Sequence, residues 1–150
     1  MFPHIASVLA LVVAAHTPLA DAAQPKNADV LGTWTLKKVL DSAEITSMDD
    51  QEAAQLLGKT VVIRPDKVVV AGENCDKADF ERHHEPTPEY VRENYHAPVG
   101  RLGLPDPVTV VNLGCTEALL KASNRMVIFW NGFFYEATRR PVVQPRQVKH

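Results

Sequence analysis

Asn131-Gly132, set between two runs dense in apolar and aromatic residues, restricts this chain more than any other dipeptide in it. A two-residue turn of type I′ needs positive φ at both central positions, and Asn-Gly adopts that conformation most readily. The flanking runs, 126–130 (Met-Val-Ile-Phe-Trp) and 133–139 (Phe-Phe-Tyr-Glu-Ala-Thr-Arg), are therefore predicted to pair as an antiparallel hairpin. Side chains alternate along a strand. Phe133, Tyr135, Ala137 and Arg139 share one face, expected to be the inner one, while Glu136, Thr138 and Arg140 share the other.

The rest of the chain repeats this character. Residues 30–39 alternate, with Val30, Gly32, Trp34 and Leu36 on one side and Thr33, Thr35 and Lys37 on the other. A glycine inside a strand marks a bend or a close backbone approach. Residues 59–63 and 67–71 are β-branched runs around Arg64-Pro65-Asp66, a second hairpin, and Gly72-Glu73-Asn74 turns the chain again before Cys75. Further strands are expected at 78–82 and 108–112, and 117–121 reads equally as strand or short helix. One helix is expected after the first strand. Ser47 is its N-cap candidate, Asp49, Asp50 and Glu52 complement the dipole of its first turns, and Gly58 ends it. Thr87-Pro88-Glu89 starts a two-turn helix over 88–95, inside a proline-bearing loop that runs from 84 to 107. Pro141 stops the last strand. The sum is an all-β, mainly antiparallel domain of about seven or eight short strands, a small barrel or sandwich with one short N-terminal helix after the first strand.

Gly32-Thr33-Trp34 on the first strand resembles the Gly-x-Trp motif of lipocalins and the wider calycin group. The chain is also similar to small lipocalin-like proteins of bacterial envelopes. The resemblance implies that Trp34 closes one end of a barrel and that a basic residue of the last strand, here Arg139, lies across its ring. Such a cation–π contact contributes about 0.5–2 kcal/mol. The chain departs from the pattern in three ways: it is short, a helix follows the first strand where a large open loop is usual, and the usual late helix is missing.

The N-terminus indicates a compartment. Residues 5–15 are apolar apart from Ser7, too short a run for a bilayer span of ~20 residues. Pro18 and the small-x-small stretch Ala20-Asp21-Ala22 follow. No Lys or Arg precedes the run, only the amino terminus and His4. We expect a signal peptide over 1–23, a single domain over 24–140 and a flexible tail over 141–150, in a periplasmic or secreted protein with no integral membrane span. Without Asp21, 17 acids face 16 bases, a balance that argues against nucleic acid or a membrane surface as partner. In an exported protein Cys75 and Cys115 read as a disulfide.

His83-His84-Glu85, with Glu89, Glu93 and His96, is the one cluster of metal-ligand residue types. Adjacent histidines on a strand point opposite ways, and zinc takes three or four ligands on rigid supports. A polar, solvated loop is the better reading, and no metal or cofactor is expected. No catalytic motif is present, so the protein is expected to be non-enzymatic. Phe129, Trp130, Phe133, Phe134 and Tyr135 are expected to be mostly core. His84, Tyr90 and Tyr95 mark the proline-bearing loop as a binding loop. The function expected first is a lipocalin-like binding protein that holds a small apolar ligand under this loop as a lid. The alternative is a protein-binding role, an envelope inhibitor or immunity-type protein acting on a cell-wall hydrolase.

Overall fold

The computed structural model describes residues 26–142; the expected leader over 1–23 and residues 143–150 lie outside them. Among the described residues nine strands form a single sheet, curled into a half-barrel with every ladder antiparallel. They are β1 (Gly32–Ser42), β2 (Thr60–Arg64), β3 (Lys67–Val70), β4 (Glu73–Cys75), β5 (Arg82–Glu85), β6 (Val108–Asn112), β7 (Glu117–Ala122), β8 (Arg125–Trp130) and β9 (Phe133–Arg139). Two helices join them, α1 (Asp50–Gln55) after β1 and α2 (Thr87–Tyr95) after β5. The all-β antiparallel expectation holds, with a strand count slightly above seven or eight.

The order across the sheet, β4-β3-β2-β1-β9-β8-β7-β6-β5, accounts for the extra strand. Nine strands with antiparallel ladders throughout leave the two edge strands, β4 and β5, running the same way. They are consecutive in sequence, and the chain passes from one to the other through 76–81, where Lys77 and Phe80 take positive φ. β4 and β5 are thus two halves of one passage. The first half pairs with β3 and the second with β6. The strand expected at 78–82 accordingly lies later, at Arg82–Glu85, because 76–81 carries the crossing.

The sheet buries both faces. Its concave face gathers Trp34, Leu36, Val61, Ile63, Val68, Val70, Met126, Ile128, Trp130, Phe133, Tyr135 and Ala137 into one cluster. α1 adds buried Ala53 and half-buried Leu56 to it, and the Tyr135 hydroxyl donates to the Ala53 carbonyl at 3.1 Å. Burial pushes that phenol up to about 12. The convex face of β6–β9 carries a second cluster of Val108, Val110, Leu119, Val127 and Phe134, covered by Val91 of α2 and by Leu102. The aromatic run of β8 and β9 is therefore divided between two cores by simple alternation. Residues 84–107 supply the end of β5, α2 and a coil that packs on the outside of the sheet.

Three local readings are corrected or decided by the structure. Ser47 does not cap α1. Asp49 does, in a capping box where its carboxylate accepts from Glu52 N at 2.8 Å and Glu52 accepts from Asp49 N at 2.9 Å. Residue 117 opens a strand, not a helix. The alternation of β1 also shifts, since bulges between Leu36 and Lys38 and between Val39 and Asp41 move Leu40 to the convex cluster.

On the convex face Lys121 Nζ lies 2.6 Å from Glu136 Oε2, with side-chain exposures of 15% and 19%. The hydrogen bond from Lys121 is the main cause holding the Glu136 carboxyl below its ordinary 4.5. A depressed carboxylate pKa stabilises the fold above the ordinary value and loses that contribution as pH falls through the folded-state value. Urea unfolding from neutral pH down to about pH 3 should therefore show a shallower acid limb for Lys121→Met than for the parent. Superimposable limbs would remove the pair from the acid response.

Candidate functional site

The half-barrel has two ends, and they differ in chemistry. At the first, β1 begins and β9 finishes, and Trp34 and Arg139 are register partners. The Arg139 guanidinium carbon lies 4.2 Å from the Trp34 ring centroid. Trp34 is 1% exposed and its indole N–H donates to the Val30 carbonyl at 2.9 Å. Arg139 passes over Gly32 and donates to the carbonyls of Leu31 and Asp29. A Cβ on Gly32 would sit 2.9 Å from the guanidinium, and its φ is +131°. Glycine is thus required here for a close approach as well as for conformation. The turn at 26–31 that Arg139 holds is also tied to β5. Both guanidinium nitrogens of Arg82 donate to the Asp29 carboxylate at 2.8 Å, and this bond keeps that carboxyl below its ordinary range. An open cleft of about 1110 Å³ lies between this turn and residues 79–82. Its most conspicuous charges, Asp29 and Arg82, already satisfy each other.

The second end is built from the β8–β9 turn, the β6–β7 turn, the C-terminus of α2 and the segment 43–49 between β1 and α1. Asn131 (φ 51°) and Gly132 (φ +93°) form the tight turn. A Cβ on Gly132 would lie 2.6 Å from Thr46 Cα, so glycine lets the 43–49 segment settle on the hairpin tip. Ala43 N donates to Gly132 O at 2.8 Å, Ser47 N to Asn131 O at 3.1 Å, and Glu44 N to His96 O at 3.3 Å. Ile45 projects from the middle of this stitched segment and is 87% exposed.

Beside Ile45 lie two adjoining cavities of about 500 and about 150 Å³. Ile45, Tyr95 and Phe129 line both, and Trp130 and Glu117 line the larger. Glu117 Oε2 accepts two phenolic hydrogen bonds, from Tyr90 at 2.7 Å and from Tyr95. Burial, then the bond to Glu117, raises both phenol pKa values well above the ordinary range, which keeps them as donors. The Tyr95 ring packs on Phe129, with centroids 4.6 Å apart, and edge-on to Phe134 at 5.4 Å.

The sequence-predicted residues are thus distributed as follows. Gly32, Trp34 and Arg139 meet at the first end. Cys75 and Cys115 lie at disulfide distance, Cα to Cα 4.9 Å, joining β4 to the β6–β7 turn. His84, Tyr90 and Tyr95 do not share one loop surface. His84 is exposed on edge strand β5, its Nδ1 3.0 Å from Thr109 Oγ1. Tyr90 and Tyr95 turn toward the sheet because α2 is amphipathic and lays that side on the convex cluster. Glu89 and Glu93 are exposed on α2, and His96 caps its end with φ 50°. Among the described residues no three His, Cys, Asp or Glu side chains converge as a metal site. No helix of the described residues is long and apolar enough to cross a membrane.

Two residues of the second end escaped the sequence reading, Ile45 and Glu117. An isolated Ile in the polar stretch Ala43-Glu44-Ile45-Thr46-Ser47 is a signal for the first. Nothing local marks Glu117, whose setting is assembled from α2 and β7. No family model, curated protein or solved structure matches the chain.

Proposed function

We propose that the chain is an exported, non-enzymatic binding protein that docks another protein at its second end, with Ile45 as the apolar anchor. An exposed apolar side chain is ordinary on a protein surface. Ile45 differs because three backbone hydrogen bonds around it fix its loop, and this is the observation that carries the proposal. Its conformational entropy is largely spent on folding, so docking it costs less than docking a mobile loop. Export is supported by the leader-like N-terminus and by the cysteine pair at disulfide distance, which suits an oxidising compartment. An envelope inhibitor or immunity-type protein directed at a cell-wall hydrolase belongs to this class.

The other reading, a small apolar ligand inside a lipocalin-like barrel, has less support. The concave cluster is filled by large side chains, among them Trp34, Leu36, Ile63 and Tyr135, each at most 1% exposed. None of these four side chains lines any of the three cavities described above.

Capture from an envelope extract tests the proposal, comparing the parent with Ile45→Asp and with Leu57→Asp, a control at a 40% exposed apolar position on the α1 side. A specific species should be held by the parent and the control and bound about 30-fold more weakly by Ile45→Asp, the effect of a hot-spot residue worth ~2 kcal/mol. Equal capture by all three, with folding verified by circular dichroism, would place any interface elsewhere.

A further inference from the structure

We propose that the groove beside Ile45 receives a basic side chain, Lys or Arg, of the docked protein, with Glu117 as its counter-charge. This rests on the protein-binding reading above and names the chemistry of the partner.

Charge and shape point the same way. Glu117 is half-buried, and no basic side chain among the described residues forms an ion pair with it. Its Oε2 is taken by the two phenols, and no protein donor among the described residues reaches Oε1. Among the described residues no buried side-chain oxygen is left without a partner, so Oε1 keeps contact with solvent, and Glu117 is part of the groove's lining. A carboxylate held part-way out of water gains more from a cation than one at the open surface. The tyrosines fix its position, so little side-chain freedom is lost when a cation arrives.

The walls suit a Lys or Arg stem and head. Tyr95, Phe129 and Trp130 supply aromatic surface, on which an ammonium or guanidinium and its methylenes pack. Glu73 lines the larger cavity and Glu44 the smaller, while among the described residues no Lys or Arg lines either. His96 lines the smaller cavity. A carboxylate-bearing partner would meet three glutamates at this groove, and a neutral apolar one would take Glu117 Oε1 out of water without giving it a donor.

The test uses the full chain, isotope-labelled for amide NMR, and four probes: N-acetyl-arginine amide, N-acetyl-lysine amide, and the neutral near-isosteres N-acetyl-citrulline amide and N-acetyl-norleucine amide. The basic probes should shift the amides of Thr116, Glu117, Phe129 and Asn131, and the neutral ones should bind about tenfold or more weakly. Glu117→Gln keeps an acceptor for the phenols and should lower the basic probes' affinity about tenfold or more. Probe binding to the parent chain is read independently of protein capture, so failure of the anchor (capture unchanged in Ile45→Asp) and failure of the groove (no preference for the basic probes) are told apart. Equal response to basic and neutral probes, no response, or an unchanged affinity in Glu117→Gln overturns the proposal. So does an equal response to magnesium ion alone, which would make the site a general cation trap.

Discussion

Replacing Trp34 with Ala should lower the free energy of unfolding by about 3–5 kcal/mol, the range for emptying a large buried aromatic site. A domain of this size is held by only ~5–15 kcal/mol in total, so the variant should approach the limit of folding at 37 °C. Three losses combine. The ring leaves the concave core, where Trp34 is 1% exposed. Its hydrogen bond to Val30 O disappears. Arg139 loses the surface beneath its guanidinium, at 4.2 Å, and with it the support for the bonds that hold the 26–31 turn. Urea unfolding measures the sum. A double-mutant cycle of Trp34→Leu and Arg139→Met isolates the ring–guanidinium contact, expected to couple by about 0.5–2 kcal/mol. A cost below ~1 kcal/mol for Trp34→Ala would mean that the cluster closes over the gap and that the residue is not a keystone. Strict additivity in the cycle would leave Arg139 acting only through the turn.

Removing the cysteine pair, as Cys75→Ser with Cys115→Ser, should cost about 2–4 kcal/mol, with the loss concentrated at one place. The pair spans a sequence separation of 40 and connects β4 to the β6–β7 turn. No ladder joins β4 to β5; the cysteines tie β4 to the β6–β7 turn, and Arg82 on Asp29 ties β5 to the 26–31 turn. Hydrogen exchange should therefore accelerate first in β4, in 76–81 and in β5, while the β1–β9 and β8–β9 ladders stay protected. Cys115 is exposed, so a reductant should reproduce the double variant's exchange pattern without any substitution. Exchange that rises evenly over the sheet would show that the cysteines act only by restricting the unfolded chain.

How much of this could be read in the residues depended on how local the signal was. The Asn131-Gly132 turn, the Arg64-to-Lys67 hairpin and strand 108–112 are written in a few adjacent residues, and each lies where alternation and turn chemistry put it. The N-cap of α1 was misplaced by two residues because Ser47 and Asp49 are both good caps, and only Asp49 has Glu52 three residues on. Ser47 N is meanwhile engaged by the hairpin tip, a tertiary partner with no local trace. The proline-bearing stretch looked like a lid because prolines and charges dominate it. Its apolar residues, Val91, Val99, Leu102 and Leu104, are too irregularly spaced to announce that they cover a sheet. The groove was least legible of all. Ile45, Tyr95, Glu117 and Phe129 come from four separate segments, and nothing but the fold assembles them.

The split passage from β4 to β5 also has a consequence for how the chain reaches this state. Among the described residues every ladder except one joins strands that follow each other in sequence, so β1–β4 and β5–β9 are two meanders, each with one helix between a pair of its strands. The exception is the β1–β9 ladder, which pairs Trp34 with Arg139 across most of the described chain. Its loop-closure entropy has to be met before its contacts return anything, which sets it late among folding events. The kinetic bottleneck thus falls on the docking of two preformed halves along their longest strands. The Trp34–Arg139 contact then belongs to the last step of assembly, where it slows unfolding far more than it speeds folding.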